Sequence, residues 1–192
     1  ASKRLYVHED IFDNLVARLC KIASEVKVGG GLEPGVDMGP VNNAGQLKLV
    51  EDLVADAKAH GAKVMCGGER LDRAGYFYPP TIITNIKKGV RLVDEEQFGP
   101  ALPVISFKDI DEVIAEVNAS ELGLAGSVWC GDDKQGFEIA KQVESGMMWV
   151  NHVLGGHPKA PFGGMKHSGV DREGGIWGVD MLSELQSVTV WK

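Results

Sequence analysis

Apolar residues recur along this chain in two rhythms, one of helical spacing and one of strict alternation, and their succession lays out the fold. Residues 4–8 read as a short strand. Ile11, Phe12, Leu15, Val16, Leu19, Ile22, Ala23 and Val26 then form a stripe at helical spacing, which predicts an amphipathic helix opened by Glu9 and Asp10, with Asp10 the candidate N-cap. Asn42 or Asn43 caps a second helix, whose inner face is Leu47, Val50, Leu53, Val54 and Ala57 and which stops at Gly61. Residues 62–66 form a short strand. Residues 75–83 are aromatic and β-branched but interrupted by Pro79 and Pro80; lacking backbone donors, the prolines suit a sheet edge or a kinked entry to a strand. Residues 101–107 are an apolar run that reads as a buried strand.

In the second half, Asp109, Asp111 and Glu112 give a helix an acidic first turn, with Val113, Ile114 and Val117 on its inner face. Residues 125–130 read as a strand, Asp132 or Asp133 caps a helix through Phe137, Ile139, Ala140 and Val143, and residues 147–150 form the next strand. Pro103, Val128 and Met148 are therefore expected in three successive strands of a parallel sheet joined by right-handed helical crossovers. The last third is irregular: residues 151–169 carry Gly, His and Pro in a density that marks a functional or mobile segment. A short helix through Val179 and Leu182 follows. Residues 187–191 alternate like a strand that pairs with a distant strand or another subunit.

Composition narrows the function. The chain has 192 residues, 44% hydrophobic and 24% charged, as in ordinary globular proteins. Its formal net charge of −7 argues against a nucleic-acid-binding role. No apolar run approaches the ~20 residues of a membrane helix, and no long apolar stretch follows the basic pair Lys3-Arg4, so neither a membrane span nor a secretory signal is predicted. The missing initiating Met makes the chain look processed or cut from something longer. Cys20, Cys66 and Cys130 are odd in number and form no C-x-x-C pair, which excludes a disulfide framework or zinc site and places the protein in a reducing, cytoplasmic setting. Cys20 lies beside the first helical stripe and reads as a core thiol. Gly29-Gly30-Gly31 lacks the Gly-Lys-Ser/Thr of a phosphate loop and reads as a surface loop.

The stretch Glu95-Glu96-Gln97-Phe98-Gly99-Pro100 sets two acids and a ring on a tight turn beside a sheet, a usual place for small-molecule sites in α/β proteins. Read alone, it is a solvated turn with Phe98 as a core plug more than it is a site. Together with Lys3-Arg4-Leu5-Tyr6-Val7, Lys27-Val28-Gly29, Met38-Gly39-Pro40, Gly75-Tyr76-Phe77-Tyr78-Pro79-Pro80-Thr81, Trp149-Val150-Asn151, Pro161-Phe162-Gly163-Gly164-Met165-Lys166-His167-Ser168-Gly169 and Arg172-Glu173, it resembles, over essentially the whole chain, the catalytic domain of the NAD(P)-dependent aldehyde dehydrogenase superfamily.

That resemblance implies an α/β domain with a mainly parallel sheet over residues 1–183 and a C-terminal oligomerisation strand at 184–192, giving a homodimer or homotetramer. It implies oxidation of an aldehyde through a cysteine thiohemiacetal and thioester, with NAD or NADP as cofactor. The nucleophile of the resembling enzymes stands in a G-Q-x-C motif that would fall about two residues before Ala1, so no catalytic residue is assigned within the chain, no metal is expected, and residues 1–192 alone are expected to be inactive. By position, Glu96 matches the acid that holds the nicotinamide ribose, Phe98 the ring beside the nicotinamide, and Phe162 an aromatic of the aldehyde pocket. Gly155 and Gly156 stand where bulkier pocket residues are common, implying a wide or unusual aldehyde. His152 and His157 match no required base. Lys166 and Arg172 read as anion binders or as structural partners near Glu173. Asp171 replaces a small residue of the pattern. Two alternatives accompany this reading: a naturally truncated domain acting in assembly with full-length subunits, and a semialdehyde or acylating aldehyde dehydrogenase.

Overall fold

The structure is a computed structural model and describes residues 2–192. They form two compact units, one ending at Lys108 and one spanning Asp109–Lys192. Both are mixed α/β.

The first unit contains β1 (Leu5–His8), α1 (Glu9–Glu25), α2 (Ala44–Ala59), β2 (Lys63–Cys66), β3 (Thr81–Thr84), α3 (Arg91–Asp94) and β4 (Ala101–Phe107). Its sheet has the order β1-β4-β3-β2; β4 runs parallel to β1 and β3, and β2 antiparallel to β3. The prolines stand at the entry to a strand and not on a sheet edge. β3 is interior, Pro79 and Pro80 precede it, and Thr81 donates its N–H to Pro100 O at 2.7 Å just before the ladder opens.

The five predicted inner-face residues of α2 are all buried, packed with Ile83, Leu92 and Val93. Each of the buried Leu and Val side chains among them contributes about 1.5–3 kcal/mol through removal from water. Asn43 is the cap, its Oδ1 accepting from Gln46 N at 2.8 Å. On α1, Val16 is buried and Phe12, Leu15 and Leu19 pack against Val7, Ile82 and Val104, but Ile11 and Ile22 of the predicted stripe are exposed. Its cap is His8, not Asp10: β1 hands over directly to α1, and the extended His8 accepts from Asp10 N at 3.3 Å through Nδ1. Asp10 sits within the first turn, where its charge complements the helix dipole.

The second unit contains α4 (Ile110–Asn118), β5 (Leu122–Gly123), β6 (Ala125–Val128), α5 (Asp133–Ala140), β7 (Met147–Val150), β8 (Met165–Lys166) and α6 (Gly175–Met181). Asp109 and Asp132 cap α4 and α5, each accepting at 2.8 Å from the backbone two residues on. β6–α5–β7 is the predicted parallel crossover, in register from Ala125↔Met147 to Val128↔Val150. The expected three-strand succession is not one sheet, however. Both edges of β4 are occupied by β1 and β3, so β6 and β7 pair with each other instead. Val113, Ile114 and Val117 of α4 are half-buried rather than buried. Residues 184–192 are exposed and form no strand among the described residues, because alternation alone supplies no hydrogen-bonding partner.

Candidate functional site

The turn between α3 and β4 is built from its backbone carbonyls inward. Glu95 closes α3, donating its N–H to Arg91 O at 2.7 Å. Its carboxylate takes two contacts from the Arg91 guanidinium, at 2.6 and 2.9 Å, which hold its carboxyl below the usual range. Glu95 is thus committed to a surface ion pair. Glu96 is exposed, and its carboxylate engages in no hydrogen bond or ion pair among the described residues.

Phe98 adopts φ 38°, the left-handed region, and is 72% exposed. Such backbone strain in a bulky residue concentrates at functional sites. Between these two, Gln97 is only 3% exposed. Its Nε2 donates to Lys3 O at 3.2 Å and to Ala101 O at 2.6 Å. Gln46 Nε2 donates to the carbonyls of Gln97 and Phe98. Lys3 Nζ donates to Leu92 O at 2.9 Å and to Glu95 O. Burial, with the charge of Arg4, draws Lys3 down to about 8, against the opposite pull of Glu96, Asp94 and Glu95. Gly99 lies so close over α2 that a Cβ there would overlap Val50 Cγ2.

In the second unit, Asn151 (φ 52°) staples the end of β7 to the β6–α5 turn. Its Oδ1 accepts from Cys130 N at 2.9 Å, and its Nδ2 donates to Cys130 O at 2.9 Å and Asp133 Oδ1 at 2.8 Å. Half-buried Trp149 donates its indole N–H to Gly155 O at 2.6 Å and so shapes the loop that follows. The two loop glycines differ. A Cβ on Gly155 would lie 2.7 Å from the His152 ring, whereas one on Gly156 would meet nothing within 4 Å. Phe162 is 52% exposed, and its backbone exchanges two hydrogen bonds of 2.7 Å with Glu173. A Cβ on Gly163 would lie 2.5 Å from Asp171 O, which explains that glycine; the Asp171 side chain has no account.

Lys166 is structural, but its partner is Glu144 at 2.8 Å rather than Glu173, and it also donates to Asn118 O and Ser120 O. Arg172 donates to Asp171 O at 2.9 Å. His157 Nδ1 accepts from Lys159 N at 3.2 Å, a turn-capping role.

The thiols bear on the chemistry as well. Cys20 and Cys66 are half-buried in the cluster beneath α1, and burial together with a hydrogen bond to Cys66 pushes the Cys20 thiol up to about 11. Cys130 Sγ donates to Asp132 O at 3.0 Å. Among the described residues there is no metal-binding cluster of His, Cys, Asp and Glu, and no helix is long and apolar enough to cross a membrane.

Glu96 and Phe98 therefore share one turn of the first unit, and Gly155, Gly156 and Phe162 share one irregular segment of the second. Gln97, Gln46 and Lys3 were not singled out by sequence. Only the polar flanks of Gln97 were visible, and nothing in them distinguishes a buried amide from an exposed one.

The aldehyde dehydrogenase family model matches residues 1–188, and the chain belongs to that family. It is 38% identical over 190 residues to an aldehyde dehydrogenase of Enchytraeus buchholzi, covering 99% of this chain and 38% of that protein. It is 37% identical over 191 residues to succinate-semialdehyde dehydrogenase [NADP(+)] 1 of Mycobacterium tuberculosis, covering 100% of this chain and 41% of that protein. The NAD+ complex of the Bacillus cereus aldehyde dehydrogenase matches with a TM-score of 0.92 at 38% identity, over 97% of this chain and 38% of that one. The chain thus spans about two fifths of the length of these relatives.

Proposed function

We propose that this chain supplies the nicotinamide-side ribose contact and one wall of the aldehyde pocket of an NAD(P)-dependent aldehyde dehydrogenase. The observation that carries the reading is the pairing, on one turn, of an exposed carboxylate at Glu96 that no hydrogen bond among the described residues holds with a strained, exposed residue at Phe98. A carboxylate is an acceptor only, so its two oxygens fit the two hydroxyls of a ribose, and the free face of Phe98 fits a planar nicotinamide. These residues fit the cofactor without displacing any bond the turn depends on. Held there, the cofactor would supply the acceptor for a hydride leaving the substrate carbon. The contribution of the chain is to fix the ribose and ring in the transfer geometry, where orientation carries much of the rate.

None of the three cysteines is assigned as nucleophile. Attack requires a thiolate, and Cys20 is driven away from that form while Cys130 is engaged with a carbonyl. Residues 1–192 alone are accordingly inactive toward aldehydes in this reading.

Phe162, Gly155 and Gly156 form the aldehyde wall, and the open space over Gly156 supports a wide substrate. A semialdehyde is the second reading, supported by identity to the mycobacterial succinate-semialdehyde enzyme. Residues 1–183 act as the catalytic-domain portion. Residues 184–192 pair as a strand with another subunit in a homodimer or homotetramer, a role supported by the exposure of Leu185, Val188, Val190 and Trp191. A shorter natural form joining full-length subunits would use the same strand. Three free thiols support a reducing, cytoplasmic setting.

The test is direct: mix the full-length protein carrying this sequence with a panel of aldehydes and NAD or NADP, and follow reduced cofactor. Formation that survives replacement of Cys20, Cys66 and Cys130 together supports the reading. No reduced cofactor with any aldehyde, or activity abolished by one of these replacements in a folded protein, contradicts it.

A further inference from the structure

The turn that carries Glu96 and Phe98 is held by two amide side chains that the ribose contact does not use. Gln97 turns inward between two exposed neighbours and ties the turn to the chain before β1 and to the first residue of β4, through Lys3 O at 3.2 Å and Ala101 O at 2.6 Å. Gln46 approaches from the first turn of α2. Its Nε2 donates to the carbonyls of Gln97 and Phe98, the second at 3.4 Å. Those carbonyls belong to the two peptide planes on either side of the Phe98 Cα. Gripping both planes from one nitrogen restrains the two backbone torsions of Phe98, including the unfavourable φ of 38°. Gln46 is itself fixed, because its N–H is held by the Asn43 cap at 2.8 Å. Gly99 then seats the turn on α2 against Val50.

The Gln97 side chain is not there for packing alone. Its Oε1 is buried with no hydrogen-bond partner among the described residues, a penalty that an apolar side chain of similar volume would avoid. What an apolar residue lacks is the Nε2 donor pair.

We propose that Gln46 and Gln97 are positioning residues for the cofactor-side turn: Gln46 sets the direction of the Phe98 ring by holding both flanking peptides, and Gln97 fixes the backbone from which Glu96 projects. The proposal rests on, and deepens, the reading of Glu96 and Phe98 as cofactor contacts. Neither glutamine touches cofactor in this scheme. Both act on mutual geometry, so their removal affects the hydride-transfer step more than binding.

The experiment uses Gln46→Met and Gln97→Met in the full-length protein, with Glu96→Gln as reference, and two readouts. Hydrogen exchange without cofactor should quicken about tenfold in both variants at the hydrogen-bonded amides that flank the turn, Glu95 (held by Arg91 O) and Ala101 (held by Gly99 O), while α2 and the rest of β4 stay protected. Single-turnover hydride transfer with saturating NAD or NADP should slow about tenfold, while cofactor Kd moves less than about threefold. Gln46 is only half-buried, so Gln46→Met carries the test should Gln97→Met not fold. Unchanged exchange in Gln46→Met overturns the proposal, as does faster exchange with unchanged hydride transfer where Glu96→Gln slows it. Unchanged hydride transfer in Glu96→Gln itself overturns the cofactor reading and the positioning role with it, and the exchange data separate that failure from a failure of the anchor.

Discussion

The Nε2 of Gln97 donates to the carbonyl of Ala101 at 2.6 Å, so a buried amide joins the middle of the acidic turn to the first residue of the central strand β4. Its second bond, to Lys3 O, ties the same point to the segment that enters β1. Gln97→Glu keeps the shape but replaces the donor with a carboxylate facing two carbonyls in a buried position. The expected loss is about 3 kcal/mol of unfolding free energy, read from chemical denaturation. A loss under about 0.5 kcal/mol, the range of a neutral surface change, would count against the anchor.

Gly99→Ala should destabilise by about 1–3 kcal/mol, because the added methyl overlaps Val50 Cγ2 in a side chain with no exposed surface. Val50→Ala opens a cavity and is destabilising by itself, but it makes room for that methyl. The double mutant should therefore be more stable than the sum of the two single losses, as a thermodynamic cycle will register. Additive losses would mean that the two residues do not meet.

Lys3 gives a pH signature. Its folded value of about 8 lies below the ordinary 10.5, with burial the leading cause. Between those two values the unfolded chain binds the additional proton, so this residue makes stability rise with pH across that window, and its contribution is flat below about 8 and above about 10.5. Lys3→Met should remove that slope. NMR titration of the Lys3 ammonium reads the value itself, and a midpoint near 10.5 would refute the burial described.

Most of the fold was legible in the sequence because it was local. The inner face of α2, a cap at Asn42 or Asn43 and at Asp132 or Asp133, of which the structure uses Asn43 and Asp132, and the β6–α5–β7 crossover follow from periodicity and short-range hydrogen bonding, whereas Asp109, expected within the first turn of α4, is its cap. What sequence could not give is which strand pairs with which. The neighbours expected for β4 are the wrong ones because its true partner β1 lies about a hundred positions before it, and no local pattern encodes that pairing. For the site, Glu96, Phe98 and Phe162 came from motif resemblance, while Gln46, Gln97 and Lys3 depend on long-range contacts to backbone carbonyls, which leave no mark on side-chain pattern.

The paired glycines separate substrate space from folding. Gly156→Val should leave the melting temperature within about 2 °C, a shift well under 1 kcal/mol, because nothing lies within 4 Å of its new Cβ. It should raise KM for branched aldehydes more than for linear ones. Gly155→Val, whose Cβ would press on the His152 ring, should lower the melting temperature unless His152 is also shortened to Ala. Equal KM changes for both aldehyde classes in Gly156→Val would remove this segment from the pocket.

The central claim is that Glu96 fixes the cofactor for hydride transfer, and Glu96→Gln in the full-length protein tests it most directly. The amide keeps the size of the side chain but offers one acceptor oxygen where two ribose hydroxyls need two. Stopped-flow measurement of the hydride-transfer step at saturating cofactor should show a slowing of about tenfold or more, with cofactor Kd changed less than about threefold. A hydride-transfer rate equal to that of the unmodified protein would contradict the account.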